Sequence, residues 1–73
     1  MIYQVVYRLE GEDEDVWGFD SISNRKPEAI RAANLHVTQG RQARIDVFNH
    51  SGVYQFTLER AGHIWQLQLG KES

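Results

Sequence analysis

The feature that most constrains this chain is a single stretch with a helical pattern, from Pro27 to Gln39, set among stretches that read as strands. At a period of about 3.6 residues, Ile30, Ala33 and Val37 share one face of that helix. The opening proline suits a first turn, because it fixes a helical φ and lacks an amide proton that the first turn would leave unpaired. Gly40 can adopt the left-handed conformation that ends a helix. The stretch therefore predicts one helix that buries the Ile30, Ala33 and Val37 face.

Five further stretches alternate apolar and polar residues with the period of two that is typical of half-buried strands. Turn-forming residues separate the last three, which predicts an antiparallel meander. The predicted fold is α+β, a single antiparallel sheet of about five strands with one helix on one face, in the order ββαβββ, as one domain over residues 1–73. The predicted strands are Ile2 to Leu9, Val16 to Ile22, Ala43 to Phe48, Val53 to Arg60 and Ile64 to Leu69.

Strand alternation also predicts which residues face the helix, since residues two apart share a face. On the fourth strand this rule places Tyr54 beside Phe56. On the second strand, Gly18 predicts either a bulge or a close approach of another group. The strand residues expected to pack on the helix are Trp17 or Phe19, Ile45 or Val47, and Phe56.

The charged residues are unevenly distributed along a chain that holds 8 basic and 10 acidic side chains. The net charge of -2 argues against indiscriminate binding of nucleic acid. An acidic run from Glu10 to Asp15 cannot bury its charges, so it predicts an exposed hairpin loop. The alternative for this run is a calcium or magnesium site, but it lacks the ligand spacing of an EF-hand. The chain has no cysteine, which excludes disulfides and thiolate chemistry.

The sequence contains no pattern typical of a catalytic or cofactor site. His36, His50 and His63 lack the close spacings that build zinc sites. No serine lies in a nucleophile-elbow context, and no glycine pattern suits a bound phosphate. We therefore predict no catalytic residue, no cofactor and no metal ion, and a protein that is not an enzyme.

Apolar residues occur on both sides of the predicted strands, more than one helix can cover. Leftover apolar surface of this kind is typical of a partner site or a self-association site. We therefore predict a small non-enzymatic protein-interaction module, with a homodimer as one form of that association. The expected partner-binding residues are Leu35, Trp65, Leu67 and Leu69.

A nucleic-acid-binding domain is the alternative that the basic residues around the predicted helix leave open. Their side chains would meet phosphates, while aromatic residues on the strands would stack on bases. The sequence has neither the RNP-like run nor the Gly-x-x-Gly loop of common RNA-binding modules, so this role ranks below protein binding. The residues that would bind nucleic acid are Arg25, Lys26, Arg41 and Arg44.

The first residues of the chain bear on its compartment. Met1 leads directly into a strand-like run, without the basic flank and apolar segment of a secretory signal or a membrane span. We expect a cytoplasmic protein that has no membrane partner.

A set of short motifs spans roughly residues 16 to 58. Trp17 lies in the second strand, Pro27-Glu28-Ala29-Ile30 opens the helix, and Gln39-Gly40 precedes the strand from Ala43 to Val47 and a turn that ends in Gly52. This pattern resembles a group of small bacterial proteins of unknown function, which implies no activity. The order of a strand, an acidic loop, an aromatic strand and a Glu-Ala helix is also similar to the N-terminal half of HicB-type antitoxins, which would imply a protein partner.

Neutralising two residues of the acidic run tests the prediction of a solvated loop. We expect Asp13→Asn with Glu14→Gln to change the melting temperature little, because exposed like charges interact weakly in salt. Thermal denaturation followed by circular dichroism, with and without millimolar calcium, measures the effect. A collapse in stability, or a large stabilisation of the original chain by calcium, would instead identify a structural ion site.

Overall fold

The structure is a computed structural model that describes residues 1–8 and 16–68, so the predicted acidic loop from Glu10 to Asp15 lies outside the described residues. Five strands form one antiparallel sheet in the order β2-β1-β3-β4-β5, with one helix between β2 and β3 in the chain. This arrangement confirms the predicted α+β fold and the meander of the last three strands. The elements are β1 (Ile2–Arg8), β2 (Trp17–Ser23), α1 (Lys26–Thr38), β3 (Ala43–Phe48), β4 (Tyr54–Ala61) and β5 (Ile64–Gln68).

The helix begins and ends one residue earlier than predicted, because Lys26 already has helical geometry and Thr38 is the last helical residue. At its end, Gly40 has a φ of 85°, the left-handed conformation expected of it. The amide of Gly40 donates to the carbonyl of Val37, and the amide of Arg41 donates to the carbonyl of His36. These two bonds form a Schellman motif, which satisfies carbonyls that the helix itself leaves unpaired.

The core lies between α1 and one face of the sheet. The helix packs mainly on β1, β2 and β3. On the helix, Ala29 and Ala33 are buried and Ile30 and Val37 are half-buried, so the true stripe is rotated toward Ala29 from the predicted one. Small residues at the contact let the helix axis lie close to the strands. The buried strand residues in this core are Val5, Ala43, Ile45, Val47 and Leu58, with Phe56 packed against them.

The second strand presents its large apolar residues away from the helix, so the prediction that Trp17 or Phe19 packs under the helix is wrong. Both pair with residues of β1 whose side chains face away from the helix, Trp17 with Arg8 and Phe19 with Val6. The helix side of β2 carries small residues instead, including Gly18 opposite Tyr7. We call the side of the sheet away from α1 the open face.

Two β-bulges explain why strand alternation misplaced some side chains. In β2, Asp20 has no partner on β1, and this extra residue brings Ile22 onto the open face with Trp17 and Phe19. In β4, Gln55 is the extra residue, so Tyr54 pairs with Phe48 on the open face. The prediction that Tyr54 shares a face with Phe56 is therefore wrong.

At Gly18 the backbone of β2 closely approaches the Tyr7 ring of β1. A Cβ atom at this glycine would lie 2.8 Å from Cζ of Tyr7, so a larger residue would collide with the ring. The Tyr7 ring in turn stacks on His36 of α1, with the two ring centroids 4.2 Å apart. The predicted close approach is confirmed, whereas the bulge of β2 lies two residues further along.

Within the described residues, α1 is too short and too polar to cross a lipid bilayer.

Adding a methyl group at residue 18 tests the role of this contact. We expect Gly18→Ala to lower the free energy of unfolding by about 1 to 3 kcal/mol, because the Tyr7 ring is held in place by His36 and cannot move aside freely. Urea denaturation of Gly18→Ala measures the effect. In a Tyr7→Ala background, Gly18→Ala should lower the free energy of unfolding far less. An equal cost in both backgrounds would contradict the proposed collision.

Candidate functional site

The open face carries a row of apolar side chains along the edge strand β2. Phe19 and Ile22 are 58% and 59% exposed, and Trp17 beside them is half-buried. At one end of the sheet the row continues across Ile2 and Phe48 to Tyr54, whose ring meets the Phe48 ring edge-on at 5.9 Å. We call these six residues the open-face strip. Large apolar side chains that lie together and uncovered are typical of an interface.

Polar residues occupy the middle of the open face. Thr57 donates a hydrogen bond of 2.8 Å to Oδ1 of Asp46, and the hydroxyl of Tyr54 also bonds to Thr57. The guanidinium of Arg44 lies 4.5 Å from the centroid of the Trp17 ring and so covers part of the strip. Its Nε lies 3.4 Å from Oδ1 of Asp46, a contact between charges whose geometry does not make a hydrogen bond. The centre of this face therefore combines positive and negative charge beside apolar surface.

A second apolar surface follows the flank of α1 that faces β4 and β5. It is a groove of about 600 Å³, and Leu35 within it is 60% exposed. Asn34 forms the inner wall, where its Oδ1 accepts hydrogen bonds of 3.0 Å from Nη1 of Arg60 and from Nε1 of Trp65. We call this surface the flank groove, and its lining residues are Lys26, Pro27, Ile30, Arg31, Asn34, Leu35 and Thr38.

The predicted partner-binding residues differ in how accessible they are. Leu35 is exposed on the helix, and Leu67 of β5 is 45% exposed on the helix side of the sheet. Trp65 is half-buried, packs against the core and is tied to the helix through Asn34, so it stabilises the fold as well as lying near this surface. Leu69 lies outside the described residues.

The four basic residues of the nucleic-acid alternative do not form one patch. Arg25 and Lys26 lie at the start of α1, whereas Arg41 and Arg44 lie beyond its end. A helix of 13 residues separates the two pairs by about 20 Å. Arg41 and Arg44 instead share a cleft of about 410 Å³ with Arg60, which was not among the predicted residues.

The contacts of His36 make it a structural residue rather than a candidate base. Its Nδ1 accepts a hydrogen bond of 3.0 Å from Nε of Arg41, and its Nε2 lies 3.1 Å from Oδ2 of Asp20. Both ring nitrogens are therefore occupied, which leaves neither free to take a proton from a substrate. The cluster ties the bulge of β2 to the helix and to the residues that follow it.

Among residues 1–8 and 16–68, no group of three or more histidine, aspartate or glutamate side chains is placed to hold a metal ion. His50 and His63 are exposed turn residues at separate positions in the fold.

Comparison with known proteins identifies no relative, since no protein-family model, no curated protein and no solved structure matches the chain. The two resemblances drawn from the sequence stay predictions. The function must therefore be inferred from the surfaces themselves.

The open-face strip was not predicted as a unit from the sequence. Apolar residues were expected on both strand faces, but the bulge at Asp20 is what gathers Ile22 with Trp17 and Phe19. The one available signal was that Gly18 and Asp20, which alternate with Trp17 and Phe19, supply no large apolar side chain to pack under a helix.

Removing the acceptor at residue 34 tests how firmly the flank groove is anchored. We expect Asn34→Ala to lower the free energy of unfolding by about 1 to 3 kcal/mol, because Trp65 and Arg60 lose a shared partner. Chemical denaturation followed by circular dichroism and tryptophan fluorescence measures this. Asn34→Asp keeps an acceptor oxygen and should be destabilised much less. If the two variants lose the same stability, the hydrogen bonds are not the anchor.

Proposed function

We propose that this protein is a small non-enzymatic interaction module that associates with a second copy of itself through the open-face strip. One observation carries the proposal: β2 presents Trp17, Phe19 and Ile22 away from the helix, while its helix side carries only small or polar residues. If β2 turned its other face to the helix, its large side chains would be buried within the monomer. A partner that covers the open face accounts most directly for the face that β2 presents.

The energetics favour covering these side chains. Burying a phenylalanine or isoleucine side chain contributes about 1.5 to 3 kcal/mol relative to leaving it in water. Phe19 and Ile22 each keep more than half of their surface exposed, and neither can reach the helix from the open face. A domain of 73 residues has a free energy of unfolding of roughly 4 to 10 kcal/mol. The free energy that burial of these two side chains would contribute is a large fraction of that total.

The area of the open face also suits a second copy. A strand of seven residues is about 24 Å long, and five strands at about 4.8 Å spacing are about as wide. Two such faces in contact would bury about 1,100 Å² in total, just above the ~1,000 Å² that separates specific interfaces from chance contacts.

Charge self-complementarity supports the same partner. A two-fold axis brings the same patch together on both protomers, so a face that carries both signs of charge can pair with itself. Arg44, Asp46 and Glu59 supply both signs in the middle of the open face. We place this association in the cytoplasm, as expected from the sequence.

The nucleic-acid alternative has one observation in its favour, the three guanidinium groups around the cleft beside Trp17. Two observations weaken it. Glu59 lines the same cleft, and Arg25 and Lys26 lie at the far end of the helix. Protein association therefore remains the proposal, and nucleic-acid binding is an outcome that the experiment can reveal.

Measuring the mass in solution tests the proposed dimer. Size exclusion with light scattering, from micromolar to millimolar protein, should give a mass approaching 17 kDa, twice the 8.5 kDa of one chain. Phe19→Asp should remain folded by circular dichroism and stay at the monomer mass, because a charge on the strip cannot be buried at low cost.

Leu35→Asp is the matched control, since Leu35 is 60% exposed but lies on the helix. It should dimerise as the original chain does. A monomeric original chain at all concentrations would overturn the proposal, and loss of the dimer only in Leu35→Asp would move the interface to the helix. Co-purifying nucleic acid, detected by ultraviolet absorbance, with a monomeric protein would favour the alternative.

A further inference from the structure

We infer that the flank groove binds an acidic, leucine-containing helical segment of another protein. The groove lies on the helix side of the sheet, whereas the open-face strip lies on the other side, so this inference does not rest on the homodimer. Its basis is a groove lined by apolar residues and by two cations, Lys26 and Arg31, that form no ion pair with the described part of the chain.

Three of the residues that line the groove are apolar and partly exposed. They are Pro27, Ile30 and Leu35, and Leu35 is 60% exposed. Ile30 and Leu35 are five residues apart, which places them about 7.5 Å apart along the axis. They lie about 140° apart around the helix, on the two sides of the groove, so a second helix lying along the groove would place its apolar stripe between them.

The lining of the groove also carries positive charge. Lys26 and Arg31 line the groove and are exposed, and neither forms an ion pair with any carboxylate among residues 1–8 and 16–68. The acidic residue of the first turn does not compensate them. Glu28 accepts a hydrogen bond from Ser23 and lies 3.7 Å from Arg25, away from the groove lining. The partial positive charge of the helix start adds to the same field.

The size of the groove suits a short helix rather than a small molecule alone. It extends from Lys26 to Thr38, a length of about 18 Å, which is the length of about 12 helical residues. Its inner wall is fixed, because Asn34 is bonded to both Arg60 and Trp65. A wall that is already ordered reduces the entropic cost of binding.

Charge complementarity favours an acidic segment over a basic or neutral one. An acidic segment places carboxylates against Lys26 and Arg31 while its leucines cover Leu35, and complementary charge raises both specificity and the rate of association. A basic or neutral segment of the same shape would leave both cations unpaired. The chemistry that the groove recognises is therefore apolar on one side and acidic on the other.

A synthetic peptide tests the inference on the full chain. The probe is a fluorescein-labelled helix of about 12 residues with leucines at spacings of three and four and glutamates elsewhere. We expect saturable binding by fluorescence anisotropy that weakens as salt increases. Lys26→Glu with Arg31→Glu should weaken binding at least about tenfold, since attraction becomes repulsion at two positions.

Three controls separate binding at this groove from binding elsewhere on the chain. Arg25→Glu changes the same charge at the same helix end but outside the groove lining, and should bind within about twofold of the original chain. Phe19→Asp should bind the peptide normally, since the groove does not need the dimer interface. A peptide with lysine in place of glutamate should bind at least about tenfold more weakly.

Equal binding of the acidic and basic peptides would overturn the inference, as would an unchanged affinity in the Lys26→Glu, Arg31→Glu variant. Binding of laurate that is lost in Leu35→Asp, with no binding of either peptide, would assign the groove to a small amphiphile instead. Loss of peptide binding in Phe19→Asp would show that the probe recognises the dimer, and would also reject a site on the helix flank.

Discussion

The main constraint on this structure is that one helix is too narrow to cover a sheet of five strands. A helix is about 10 Å wide and strands lie about 4.8 Å apart, so a single helix covers about three strands. Here it lies mainly over β1, β2 and β3, covers β4 and β5 only in part, and leaves the reverse side of the sheet without a second layer. The open-face strip and the flank groove are the two surfaces that this geometry leaves, and each is apolar where a layer would have been.

The sequence predicts the elements and their order because those depend on periodicity and on turn residues. It predicts the exposure of Leu35 for the same reason, since a helical wheel places it away from the buried stripe. It does not predict which face a strand presents after a bulge, because one extra residue reverses the alternation without altering the local pattern. Ile22 and Tyr54 lie on the open face for this reason.

The candidate surfaces were predictable to different extents. The alternation of strand residues indicated that apolar side chains lay on both faces of the sheet. It did not indicate that the large apolar side chains of β2 would all lie on one face. The basic residues near the helix were predicted to form one nucleic-acid-binding set. Lys26 and Arg44 nevertheless lie beside opposite ends of α1, because the length of the helix separates residues that flank it in the sequence. Pairs such as Asn34 and Trp65 depend on strand order, which neither composition nor periodicity specifies.

The position of β1 in the middle of the sheet has a consequence for how the chain folds during synthesis. All other strand pairs join neighbours in sequence, whereas β1 pairs with β3 across 46 residues, from Ile2 to Phe48. The first hairpin therefore leaves the ribosome with one side of β1 unpaired, and it stays so until the helix and β3 have followed. Closing this long loop is the slow entropic step, so the rate of folding should follow the β1 and β3 contact more closely than any hairpin.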